Sequence, residues 1–351
     1  MSANPSRLAL IDALKAVASQ FIVLHHLAFY GPMSAFTHKL WPGLITWLSQ
    51  DARMAVQVFL VISGFLSARA LAPHGVLRAR QPWRLIGSRY IKISLPYLAA
   101  LLVAMVCTEL ARRWMAHDSI PDTPELMQFL AHALLLHSVL GMDALSAGVW
   151  YVAIDFQLFT LFVAVLWLAR CLAGTSERAT AGAVMLLMSA LALASLFFFN
   201  RDSDWDNWAL YFMGAYTLGA ITCWASLPGN DVAWRWLAAA LMLATVWALA
   251  VDFRERIALA LAVAVLLGVA QWGHWLKTFP RSRVLAYLGQ ISYSVFLLNF
   301  PIGLVVNAAF TRFAPADPVV QTVGVLLAWL ACNLAGALFY HQVEHRLRRL
   351  G

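Results

Sequence analysis

Asp12, Lys15, Ser19, Ile22 and His26 follow one another at steps of three, four, three and four residues, so they share one face of a helix in the first apolar run of this chain. The step from Lys15 to His26 returns to nearly the same azimuth about 16 Å further along the axis. An imidazole is the side chain best suited to move a proton near neutral pH or to carry a group as a nucleophile. Ionisable groups at the centre of a bilayer cost about 2.5–3.5 kcal/mol each even on the gentler insertion scale, so their presence asks for a function. The stripe is read as lining a reaction or transport path. The blander alternative is an Asp12–Lys15 pair at the water boundary with a histidine snorkelling at the far end. His25 is turned by roughly 100° and is read as an interfacial residue.

Other polar residues stand in comparable places. Ser63 and Gly64 close the apolar segment Phe59 to Leu66, where small side chains permit close approach of a helix or a ligand. Arg78, Arg80, Arg84, Arg89 and Lys92 precede Pro96-Tyr97, a cluster that suits anionic lipid headgroups or a phosphate-rich ligand. A later run opens on Trp150-Tyr151 and holds Asp155 and Gln157 in its first turns; a buried carboxylate is rarely inert. Gln290, Ser292, Tyr293, Ser294 and Asn299 fall within another run.

Two motifs lead nowhere. His341-Gln342-Val343-Glu344-His345 matches the H-x-x-E-H pattern of inverted zinc peptidases, yet a third ligand would have to follow among Arg346, Arg348 and Arg349. Asp202-Ser203-Asp204-Trp205-Asp206 begins like a calcium loop, with Asn207 at the turn glycine and Met213 at the bidentate glutamate. No metal is expected at either.

The elements that must position these residues follow from composition. Of the 351 residues 62% are hydrophobic and 12% charged, against roughly 45–50% and about 25% in globular chains, and mean hydropathy is +0.72. Large soluble domains are excluded, and an all-α polytopic membrane protein is expected. Apolar runs near the ~20 residues a bilayer requires lie at about 8–30, 54–72, 91–110, 148–169, 179–199, 208–226, 236–251, 257–276, 284–307 and 319–340. These predict a single bundle of about ten transmembrane helices, one domain over 1–351. Glu125 to Met142 is apolar but too short to span, and is expected on the outer face, where it helps form a lid.

The net charge of +8 is a topology signal: the cations lie in short loops rather than on one basic face, which argues against nucleic acid. Of the 25 Lys and Arg, 16 fall in the termini and even-numbered loops and 8 in the odd-numbered ones, which places both termini in the cytoplasm. No small-residue cleavage site follows Met1 to Arg7, so the first span is expected to be kept. Cys107, Cys171, Cys223 and Cys332 stand singly in or beside apolar runs, as packing residues.

These segments, in this order, resemble the bacterial membrane acyltransferase 3 family, multi-span proteins that acylate sugars, usually with acetyl groups. Lys15 to His26 fits the family's pattern of a basic residue, ten residues, then histidine, with Asp12 in place. The other matches are Phe59 to Leu66, Arg89 to Tyr97, Trp150 to Phe159, Ser292 to Pro301 and Tyr340 to Glu344. The chain departs from the pattern at Gln57, where an acid is common, at Asp155, where glutamate is common, and at Asn299, where many members have histidine.

The resemblance implies transfer of an acyl group, most simply acetyl, from cytoplasmic acyl-CoA to a carbohydrate hydroxyl of an envelope glycan across a bacterial inner membrane. The acceptor is then lipid-linked or extracytoplasmic. Acyl-CoA serves as co-substrate, no cofactor is bound, and membrane lipids are the surroundings. The resemblance makes His26 the general base or a covalent acyl carrier, and Asp155 the residue that orients His26 or the acceptor. It gives Lys15, Arg84 and Arg89 the coenzyme A phosphates, and it sets Asp12, Ser63, Trp150, Tyr151 and Asn299 along the substrate path. The rival from another class is a transporter or flippase using the same polar stripe without chemistry. That rival leads one to expect repeat symmetry and broken helices in matching halves, whereas the polar residues here cluster unevenly in the first, fourth and ninth spans.

Overall fold

A computed structural model describes residues 8–347; Met1 to Arg7 and the cations Arg348 and Arg349 lie outside the described residues. The described residues are 79% helical and contain no strand. Lipid offers no partner for backbone N–H and C=O groups, and a helix is the element that satisfies them within one segment. In order, the helices are α1 (Ala9–Phe29), α2 (Met33–Leu40), α3 (Pro42–Gln50), α4 (Val56–Leu71), α5 (Pro82–Trp114), α6 (Leu126–Ala133), α7 (Trp150–Ala173), α8 (Glu177–Phe197), α9 (Ala209–Ser226), α10 (Val232–Val251), α11 (Glu255–Trp272), α12 (Arg283–Phe313) and α13 (Pro318–Phe339). A π-helical turn at Tyr340–Glu344 follows α13.

Among the described residues nine helices are long and apolar enough to cross a membrane; α9, an 18-residue helix at the expected 208–226 span, is not among the nine. All ten expected spans therefore correspond to helices, with different lengths. The expected span at 91–110 is a 33-residue helix and that at 284–307 a 31-residue helix, each carrying polar ends beyond its apolar run and a proline inside, Pro96 and Pro301. Helix starts carry the expected capping chemistry: Asp317 accepts from the N–H groups of Val319 and Val320, and Ser176 from that of Ala179. The chain between the first two spans, which shows no periodic signal of its own, forms α2 and α3. All four cysteines are free thiols.

The described chain divides into two compact units whose boundaries fall largely inside helices. One comprises the chain up to Leu14, Val56–Tyr90 and Ile154–Arg283. At its centre lies α9, packed by α4, α8, α10 and α11 and buried over nearly its whole length. α4 and α9 cross at two glycines: a Cβ on Gly64 would overlap the Tyr216 carbonyl oxygen, and one on Gly219 the Val61 carbonyl oxygen. Tyr216 donates its hydroxyl to Ser67 at 2.8 Å, and the Trp224 indole N–H donates to the Ala72 carbonyl at 2.6 Å.

The other unit comprises Lys15–Ala55, Ile91–Ala153 and the chain from Val284 on. Its largest core brings Val23 and Leu27 of α1 together with Met33, Ile291, Val295, Ala328 and Cys332. α13 turns Gly324, Ala328, Cys332 and Gly336 inward, where a Cβ at Gly324 or Gly336 would run into Met33 and Phe310 or into Val295. Its opposite side exposes Val323, Leu326, Leu330, Leu334 and Leu338, an apolar surface suited to lipid.

Candidate active site

His26 sits near the end of α1, 8% exposed, in the unit that begins at Lys15. Ser19 and Ile22 on the same face are buried, and Asp12 and Lys15 are half-buried, so the stripe points away from the lipid-facing side, where Val17 and Phe29 are exposed. The imidazole Nδ1 is hydrogen-bonded with Asn299 Oδ1 of α12. Asn299 is 1% exposed, and its amide nitrogen donates to the carbonyls of Val295 at 3.2 Å and Phe296 at 2.7 Å. Tyr30, one turn beyond His26, meets the imidazole edge-on with ring centroids 5.6 Å apart, and Phe300 does so at 6.3 Å.

Beside the imidazole is a cavity of about 10 Å³, room for little more than a water molecule, lined by His26, Tyr30, Asn299, Phe300, Gly303 and Asn307, with Leu27 and Leu304. On the ring's Cε1–Nε2 edge lies Gly148, with φ +82°, where a Cβ would stand 3.1 Å from Cε1. Only two residues further on, α7 opens with Trp150 and Tyr151, both half-buried, and Tyr151 packs edge-on against Phe296 at 5.3 Å.

A second cluster lies in the unit centred on α9. Asp155 of α7 is 6% exposed, accepting from the Ser63 hydroxyl at 2.6 Å on one oxygen and from the Arg89 guanidinium at 2.5 Å on the other. Arg89 also lies over the Phe159 ring, 5.3 Å from its centroid. Arg84 is exposed in the first turn of α5.

The structure thus assembles the named residues in two groups: His26 with Asn299, and Asp155 with Ser63 and Arg89. The resemblance had Asp155 orient either His26 or the acceptor; the partner on Nδ1 of His26 is Asn299. His25 is 8% exposed, and its Nδ1 is bonded to the Leu48 carbonyl of α3 at 3.0 Å. Tyr30, Gly148, Gly303 and Asn307 went unnoticed. Tyr30 continues the stripe one turn past His26, and Asn299, Gly303 and Asn307 recur every four residues on α12, so both were visible as helical spacing. In the H-x-x-E-H segment, Glu344 is buried and accepts from the Ser294 hydroxyl, while His341 pairs with the Tyr287 hydroxyl at 3.2 Å. Among the described residues no three His, Cys, Asp or Glu side chains gather to hold a metal ion.

A family model described as an acyltransferase domain matches residues 8–338, nearly the whole chain. The chain belongs to the acyltransferase 3 family. Comparison with curated proteins and with solved structures returns no match. The family match ends before Tyr340, so the Tyr340–Glu344 turn lies outside it. A member of this family with nine long apolar helices is a multi-pass membrane acyltransferase.

Proposed function

We propose that this acyltransferase moves an acetyl group from cytoplasmic acetyl-CoA to a carbohydrate hydroxyl, with His26 as the residue that performs the transfer. The observation that carries the reading is the imidazole itself, buried within a membrane span and held on one nitrogen by Asn299. The same side chain lines a small cavity. The hydroxyl loses its proton to the imidazole as its oxygen attacks the thioester carbon; the C–S bond breaks, and the proton returns to the departing thiolate. Transfer through an acyl-His26 intermediate uses the same ring in two steps.

The donor's phosphates fall to Lys15, Arg84 and Arg89, with Asp155 and Ser63 fixing the Arg89 head group. Trp150 and Tyr151 offer apolar ring faces beside Gly148 to a sugar, and Asp12 lies on the same helix face as Lys15. Both termini and the Arg78 to Lys92 loop face the cytoplasm of a bacterial inner membrane, on the cation bias of the loops.

Sealed vesicles test chemistry and direction together. Inside-out vesicles given [¹⁴C]acetyl-CoA in the bulk should transfer label to membrane glycan as an alkali-labile ester. Right-side-out vesicles should do so only after permeabilisation. Absence of label from glycan in both orientations, with the protein present, contradicts the proposed reaction. Transfer by intact right-side-out vesicles contradicts its direction.

A further inference from the structure

We propose that Asn299 is the positioning residue that fixes His26 in the tautomer with its hydrogen on Nδ1, leaving the lone pair on Nε2 for the acyl-transfer step. The inference rests on the reading that His26 performs the transfer, and it names the nitrogen that does so.

A neutral imidazole carries one hydrogen, and the partner on one nitrogen decides where it sits. Asn299 leaves little choice. It lies three and four positions, about one turn, beyond Phe296 and Val295 on the same helix, and both carbonyls accept from its side-chain amide nitrogen. Turning the amide over would set its oxygen against two carbonyl oxygens and leave a buried group with no donor for either, a loss that a 1% exposed side chain cannot make up from water. The oxygen is therefore the atom that faces His26 Nδ1. An amide oxygen only accepts, so Nδ1–H donates to it.

The far edge of the ring matches this assignment. Gly148 brings backbone, with no side chain, to the Cε1–Nε2 edge, and its φ of +82° is a conformation that other residues adopt only with strain. A Cβ there would lie 3.7 Å from Nε2 and take up space beside the reacting nitrogen. An amide partner also differs from a carboxylate in one respect: it orients the ring without stabilising the imidazolium by charge.

The test uses the full chain in lipid nanodiscs with ¹⁵N- and ¹³C-labelled histidine. The His26 signals are identified as those lost in His26→Gln. The nitrogen coupled to Cδ2 is Nε2, and it should show the shift of an unprotonated ring nitrogen while Nδ1 shows that of an N–H. The reverse pattern overturns the proposal. In Asn299→Leu the preference should collapse toward a mixture of tautomers, and acetyl transfer should fall about 10²–10⁴-fold in kcat with little change in the acetyl-CoA KM. Should Asn299→Leu be absent from the membrane, Asn299→Asp decides. It keeps the acceptor but adds charge, so the ascending limb of the pH–kcat/KM profile should move up by about 1 to 3 pH units. A limb that stays in place overturns the proposal. The wild-type tautomer found together with a fully active His26→Ala chain would leave the tautomer assignment standing and remove His26 from the chemistry.

Discussion

Arg89 illustrates how one side chain can serve two partners. Its guanidinium holds the buried Asp155 carboxylate at 2.5 Å while its side chain remains 35% exposed, so the head group is fixed and still reachable. A charge-assisted contact to phosphate is worth roughly 1.5–3 kcal/mol, or about 10- to 150-fold in binding. Arg89→Gln alone would leave Asp155 buried without its cation, a structural loss unrelated to the donor. The pair Arg89→Gln with Asp155→Asn avoids that, and should raise the KM for acetyl-CoA by at least tenfold while the KM for the glycan stays within about threefold. Equal increases in both constants would assign the pair to packing rather than to the donor. At this scale the sequence showed which residues are expensive in lipid, because cost depends on type and position alone. It did not show who pairs with whom: Asn299 and His26 are separated by most of the chain, and Ser63 and Arg89 reach the two oxygens of Asp155 from two other helices.

Between α5 and α7 the chain makes a segment of a different kind. α6 spans eight residues, too short to cross a bilayer, and is opened by a reciprocal pair of hydrogen bonds between Glu125 and Gln128. It exposes Leu126, Met127 and Leu130, with Leu134 and Leu140 beyond it, and turns two histidines inward. The rings of His132 and His137 stack at 4.0 Å, with His132 bonded to the Gln128 carbonyl and the Leu145 N–H, and both ring nitrogens of His137 buried without a partner. Burial and the neighbouring ring push His137 down to about 3 from the ordinary 6.5, and burial lowers His132 as well. The packed segment therefore favours neutral rings. Its stability is complete above pH 6.5; as pH falls below that, an opened segment takes up protons that the packed one refuses, at a cost of about 1.4 kcal/mol per pH unit for each ring. Hydrogen exchange of residues 126–146 in nanodiscs, corrected for intrinsic rate, should accelerate between pH 7 and 5.5. His137→Phe should reduce that response, and an unchanged response would show that the imidazole is not its source. The apolar, non-spanning character of this segment was legible in the sequence. The inward histidines were not, because their spacing of five on a short interrupted helix has no single face.

Across the whole chain, ten apolar runs predicted ten helices because the bilayer sets their length, and helical spacing on α1 predicted the buried face of His26 because α1 is regular from Ala9 to Phe29. α2 and α3 escaped notice: they lie between spans, lack a long apolar run and owe their place to contacts such as α13 with α2. The partner of His25 escaped notice for the same reason, since Leu48 belongs to α3. The two histidines therefore make the sharpest comparison in the molecule: both are buried, one residue apart, and they differ in what they face. His26 faces Asn299 and the small cavity; His25 faces a backbone carbonyl. The decisive measurement is glycan acetylation from labelled acetyl-CoA in membranes matched for protein level. Loss of a general base costs about 10²–10⁴ in rate, so His26→Ala should lose detectable transfer while His25→Ala keeps most of it. A His26→Ala chain as active as the wild type, or equal losses in the two variants at equal abundance, would contradict the assignment of the chemistry to His26.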